Sequence, residues 1–140
     1  SYGGYMVLIG LALQPAIWAA GVDFFGISSF RSFIEVQPGA WREVAVSEFG
    51  DPETDGEFLD SISPMTHIDT IVDPLFVYQG ENDPIVPRSQ SDQIVKALRE
   101  KNIPVEYMVA KGEGHSADRK ENFVGLISRS ARFLEEVLQD

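Results

Sequence analysis

PLFVYQGENDPIVPRSQSDQIVKALREKNIPVEYMVAKGEGH, residues 74–115, carries two short apolar runs, 74–80 and 104–112, on either side of a segment with a different rhythm. Both runs are rich in Val, Phe, Tyr and Met, the composition of buried strands. Between them, SQSDQIVKALREKN (89–102) places Ile94, Val95 and Leu98 on one face, which predicts an amphipathic helix. A strand, a helix and a strand joined by a crossover of this length pair in parallel. In an open parallel sheet, working side chains sit on the loops at the carboxyl ends of the strands. Here those loops are QGENDPIVP and KGEGHSAD, so Asp83 and His115 are expected on one edge. Gly80, Gly112 and Gly114 beside them let the backbone turn sharply.

Outward from this core, RKENFVGLISRSARFLEEVLQD (119–140) predicts a closing helix, with Phe123, Leu126, Ile127, Phe133, Leu134 and Val137 at helical spacing. Upstream, AGVDFFGISS (20–29) reads as a third buried strand over about residues 21–27. Tyr2 to Leu13 reads as a buried helix, entered through glycines and ended by Pro15. From Phe30 to about Thr54 the chain is polar and irregular, yet Phe30, Phe33, Trp41 and Phe49 argue that it packs on something. DGEFLDSISP (55–64) predicts an acidic helix that stops before Pro64. The carboxylates Asp51, Glu53, Asp55, Glu57 and Asp60 suit a helix N-terminus and its dipole, and their spacing does not fit an EF-hand loop. The fold class expected is α/β, with about three parallel strands and flanking helices in one domain over residues 1–140.

Composition narrows the function. Eleven Lys and Arg against 22 Asp and Glu leave a formal net charge of −11 over 140 residues. That field repels phosphate backbones and anionic lipids, which argues against nucleic-acid and membrane partners. The apolar stretch Met6 to Ala20 is broken by Gln14 and Pro15 and is too short to span a bilayer. The chain has no cysteine, so disulfides, thiolate metal sites and a cysteine nucleophile are excluded.

Set beside Asp83 and His115, the opening SYGGYM gives the chain order Ser, Asp, His, the order of α/β-hydrolase triads. Ser1 would sit in the turn leading into the first helix, with Gly3 two residues on, where a tight turn leaves no room for a Cβ. In this reading His115 takes the Ser1 hydroxyl proton and returns it to the leaving group, while Asp83 holds the imidazole tautomer. The backbone N–H of Tyr2 would be one oxyanion donor. Taken singly, Ser1 is an ordinary N-cap, Asp83 a turn residue and His115 a solvated loop histidine. Taken together, three accidents would have to yield the right residues on the right loops in the right order. His67 reads as a packing or capping residue, and Ser63, Ser89 and Ser116 lack a strand-to-helix elbow.

These residues also resemble the prolyl oligopeptidase family of serine peptidases, in particular its acylaminoacyl-peptidase and dipeptidyl-peptidase-like branches. SYGGYM is similar to the second half of that family's GxSYGGYM motif. SPMTHIDTIVDPLFVYQGENDPIVPRSQS resembles the segment through the triad acid, and VEYMVAKGEGH the segment ending at the triad histidine. The resemblance implies an α/β-hydrolase catalytic domain acting on short peptides or blocked amino-terminal residues, often beneath a β-propeller. It assigns Ser1 as nucleophile, Asp83 as acid and His115 as base, and implies neither metal nor organic cofactor.

The resemblance implies that the 140 residues are the carboxyl-terminal half of such a domain, beginning at the serine. Reduced or absent activity is therefore expected of them alone, with the first strand as an open edge and self-association into a homo-oligomer. The substrate expected is a peptide or another acyl compound, since a carboxylesterase would use the same triad. The rival readings are a non-catalytic, oligomerising module and, last, Ser1 acting through its own amine.

Overall fold

The computed structural model describes residues 1–139. Its element order is α1 (Tyr2–Leu13), β1 (Gly21–Phe24), α2 (Phe30–Glu35), α3 (Gly39–Phe49), α4 (Gly56–Ser61), a 3₁₀ segment (Pro64–Thr70), β2 (Leu75–Gly80), α5 (Ser89–Glu100), β3 (Val105–Ala110) and α6 (Lys120–Leu138). The three strands form one parallel sheet in the order β1-β2-β3. Leu75 lies opposite Gly21 on one side and Val105 on the other; β2 and β3 finish together at Gly80 and Ala110, β1 ends two residues earlier opposite Tyr78, and the loops that follow share an edge.

Every residue of β2 is buried, because helices cover both faces. Leu75 and Val77 point into a core with Leu8, Leu11, Ile94 and Leu98, beneath α1 and α5. Phe76 and Tyr78 alternate to the other face, where Met108 and Ala110 meet Leu126 and Phe133 of α6. Full burial of one such side chain contributes roughly 2 kcal/mol, so the few anchors on α6 decide where that helix lies.

The strand-helix-strand-helix half is as the pattern predicts, and three details upstream and downstream differ. First, the stretch 30–54, expected to be irregular, holds two helices, α2 and α3. Ser29 caps α2 by accepting from the Ser32 N–H, and α3 buries only Ala45, so it has no apolar stripe for the sequence to display. Second, β1 stops at Phe24, because Phe25 takes φ 43° and leaves the extended region. Third, α6 turns Phe123 and Ile127 outward, 54% and 49% exposed, and docks through Leu126 and Phe133. The outer side of α1 and β1 carries an apolar groove of about 560 Å³ lined by Met6, Gly10, Leu13, Trp18 and Val22 among others. Among the described residues no helix is long and apolar enough to cross a membrane, and no cluster of acidic or histidine side chains could hold a metal. The acidic stretch makes local contacts instead: Asp55 accepts from the Asp51 N–H, and Asp60 pairs with Arg31 at 2.6 Å, joining α4 to α2.

Candidate active site

The loop after β2 turns at once, and Gly80 is where the geometry demands a glycine. A Cβ there would lie 1.9 Å from the Gly114 carbonyl oxygen, so the two loops touch only because that side chain is missing. Gly112 supplies the turn after β3 with φ 72°, whereas Gly114 has ordinary space around it. Across this contact Asn82 donates its N–H to the Glu113 carbonyl at 2.9 Å.

Asp83 is fixed from every side. One carboxylate oxygen, Oδ1, accepts the N–H groups of Ile85 and Val86, both at 2.9 Å. The other, Oδ2, accepts from His115 Nδ1 at 2.7 Å and from Gln79 Nε2 at 3.3 Å. Its side chain is fully buried, and that of His115 is 17% exposed. With Nδ1 donating to the carboxylate, Nε2 is left as the acceptor, the tautomer a general base needs. No hydrogen bond engages Nε2 among the described residues.

Three further contacts hold the histidine. Its ring packs against Phe25 at a tilt of 39°, with centroids 4.4 Å apart. Phe25 is one of two non-glycine residues with positive φ among the described residues, a backbone state that persists only where surroundings impose it. Tyr78 donates its hydroxyl to the Ser116 carbonyl at 2.9 Å, next in chain to His115, and burial pushes the Tyr78 phenol up to about 12. Glu113 anchors the loop to α6, accepting from the Arg119 N–H at 2.8 Å and from Asn122 Nδ2 at 2.9 Å. Those bonds, Asn122 foremost, hold the Glu113 carboxyl below its usual range.

Ser1 lies at the same edge. Its nitrogen donates to the carbonyl of Phe24, the last residue of β1, and Phe25 follows directly. The Ser1 side chain makes no capping hydrogen bond to α1, so its hydroxyl is not used as a cap. Tyr2 opens α1, where an N–H has no intrahelical partner. The structure thus hydrogen-bonds Asp83 to His115 and brings Ser1 to their edge, with no hydrogen bond between Ser1 and His115.

The steric demand in SYGGYM falls at Gly4. A Cβ on Gly3 meets nothing within 4 Å, whereas one on Gly4 would lie 2.2 Å from Asp23 Oδ1 and 2.7 Å from the Gly26 Cα. Beneath that contact Asp23 is fully buried, Oδ1 accepting from the Gly26 N–H at 2.9 Å. Burial pushes its carboxyl up to about 7, against the Gly26 bond. His67 donates its Nε2–H to the carbonyl of Ser61, the last residue of α4, at 2.7 Å, which is a capping contact.

The whole chain, residues 1–140, matches the model of the prolyl oligopeptidase family. It belongs to that family. The chain is 41% identical to dipeptidyl aminopeptidase BIII of Pseudoxanthomonas mexicana, over 99% of this chain and 21% of that protein. It is 35% identical to dipeptidyl peptidase family member 6 of Caenorhabditis elegans, over 99% of this chain and 20% of the relative. The chain therefore spans about a fifth of the length of these curated relatives. Among solved structures, a puromycin-hydrolyzing peptidase of Mycobacterium tuberculosis superimposes with a TM-score of 0.86 at 28% identity, covering 98% of this chain and 21% of that one. An acylaminoacyl peptidase of Pyrococcus horikoshii gives 0.86 at 23% identity over 98% of this chain and 23% of that one, a likeness of fold. The prolyl oligopeptidase family is one of serine peptidases, and the sheet described here is part of its α/β-hydrolase fold.

Sequence reasoning missed Gln79, Tyr78 and Glu113. Gln79 alone left a trace, as a polar residue inside an otherwise apolar strand.

Proposed function

We propose that Ser1, Asp83 and His115 form the catalytic triad of a serine peptidase, with residues 1–140 as the part of the catalytic domain that carries all three. The Asp83–His115 hydrogen bond supports this reading most strongly, since it buries the acid, fixes the imidazole tautomer and leaves Nε2 open on the edge that Ser1 occupies. Ser1 Oγ attacks the substrate carbonyl carbon while His115 Nε2 takes its proton. The tetrahedral oxyanion faces the Tyr2 N–H, at the positive end of the α1 dipole. Collapse breaks the C–N bond, His115 returns the proton to the leaving amine, and the acyl group stays on Ser1. Water, deprotonated by the same imidazole, then releases the acid and restores the serine.

Short peptides with free or blocked amino termini are the substrate class proposed. The similarity to dipeptidyl aminopeptidase BIII supports it. So does an apolar groove of about 430 Å³ between the acid loop and α3, lined by Phe33, Trp41, Val44, Pro84 and Ile85, which suits an aliphatic or aromatic side chain. Self-association through β1 and the apolar face of α1 is proposed on the exposure of Met6, Leu13 and Trp18, and a strictly monomeric particle by light scattering contradicts it.

The test is hydrolysis of chromogenic dipeptide and acyl-amino-acid amides by the protein at its full natural length. Release that is abolished by Ser1→Ala supports the triad. Equal release from both proteins overturns it.

A further inference from the structure

Resting on the triad reading, we propose that Gln79 is a positioning residue of this site, a buried amide that fixes the Asp83 carboxylate against His115 and is itself locked by Ser91. Gln79 and Ser91 are both fully buried, and in the structure they belong to β2 and α5, outside the loops that present Asp83 and His115. Gln79 is in β2, on the face opposite Tyr78, and Ser91 is in the first turns of α5.

The geometry leaves the amide one orientation. Around Nε2 stand three acceptors, the Gly80 carbonyl and the Val86 carbonyl at 3.2 Å each and Asp83 Oδ2 at 3.3 Å. Turning the amide over would set its own oxygen against three oxygens, with no hydrogen between them. Oε1 accepts from the Ser91 hydroxyl at 2.8 Å, which completes the side chain's hydrogen bonding. A chain thus runs from Ser91 through Gln79 and Asp83 to His115, every link donating toward the carboxylate.

The arrangement matters because Oδ2 is shared. His115 Nδ1 and Gln79 Nε2 both bond that oxygen, so the amide sets where on the carboxylate the imidazole docks. The Ile85 and Val86 N–H groups hold only Oδ1. Without the amide, Oδ2 keeps the histidine as its one partner, and rotation of the carboxylate about its Oδ1 anchor carries the imidazole with it.

Asp83 is the one titratable side chain hydrogen-bonded to Gln79 among the described residues, and this makes the substitution series sharp. Gln79→Met keeps the length and removes the amide. Gln79→Glu places a second carboxyl against a buried carboxylate, where it holds its proton at low pH and donates it to Asp83 in the amide's place. Raising the pH ionises it and sets two like charges side by side.

The experiment is the pH dependence of the rate at which a fluorophosphonate labels Ser1 in the protein at its full natural length, with melting temperature followed alongside. Gln79→Met should label about tenfold more slowly across the range, the effect of one hydrogen bond to a charged group. Gln79→Glu should recover most of the rate at low pH and lose it as pH rises, an alkaline limb the wild type lacks. Ser91→Ala should slow labelling a few-fold with the melting temperature kept. If Gln79→Met does not fold, the Gln79→Glu profile and Ser91→Ala still decide. A folded Gln79→Met at the wild-type rate, or a Gln79→Glu profile parallel to wild type, overturns this inference and leaves the triad standing. A wild type that takes no label at Ser1 overturns the triad and this inference with it.

Discussion

The loop after β2 and the loop after β3 are joined by hydrogen bonds from Asn82 to Glu113, from Gly112 to Glu81 and from His115 to Asp83, yet they hold their working residues in opposite ways. Asp83 is fully buried and takes four hydrogen bonds, two from its own turn, one from Gln79 and one from His115. His115 has one hydrogen bond, one aromatic contact and a backbone tether next door, and stays partly exposed. The difference fits the tasks proposed for them. An acid that only orients its neighbour works best immobile, whereas a base that moves a proton to and fro must keep one nitrogen open to solvent and substrate.

The contrast can be broken most severely at the acid. Asp83→Asn retains an oxygen for the Ile85 and Val86 N–H groups but presents an amide to His115, which favours the wrong tautomer. Turnover should fall by about 10⁴-fold, as steady-state kinetics on the natural-length protein would reveal. Next comes the seam between the loops. Gly80→Ala drives a methyl into the Gly114 carbonyl, and thermal or urea denaturation should register a loss of about 3 kcal/mol, together with a weaker hold on the histidine. On the histidine side, Phe25→Gly relieves the positive φ while deleting the ring under the imidazole. Stability should stay within about 1 kcal/mol, since strain relief offsets lost packing, while the peptidase rate drops several-fold.

The smallest effect is at Glu113, and it depends on pH. Its carboxyl is held below the usual range by Asn122 and the Arg119 N–H, so the folded state binds its proton less readily than the unfolded chain does. The resulting stability is present in full above the ordinary glutamate range and is lost as pH falls through the lowered folded value. Glu113→Gln should therefore melt below the wild type at neutral pH and converge with it in acid, a difference that vanishes if the loop anchor is irrelevant.

How much of this was legible in the chain follows the same division. The strands β2 and β3 were readable as short apolar runs and the helices α5 and α6 by apolar residues at helical spacing, and the placing of Asp83 and His115 followed from the strand ends. The helices α2 and α3 were not, since α2 has only six residues and α3 packs through one alanine. The early end of β1 turns on a left-handed phenylalanine, a state no aromatic residue advertises. Gly3 and Gly4 look alike in sequence, and only the approach of Asp23 and Gly26 separates them. The supports of the site join residues far apart in the chain, such as Tyr78 to Ser116 and Glu113 to Asn122, through bonds that no local pattern encodes.

The central claim is that Ser1, Asp83 and His115 act as one unit, and intact-mass spectrometry after fluorophosphonate treatment tests it most directly. The natural-length protein should take a single adduct, mapped to Ser1, and His115→Ala should take none over the same time. An adduct on another serine, or equal labelling in His115→Ala, would contradict the account.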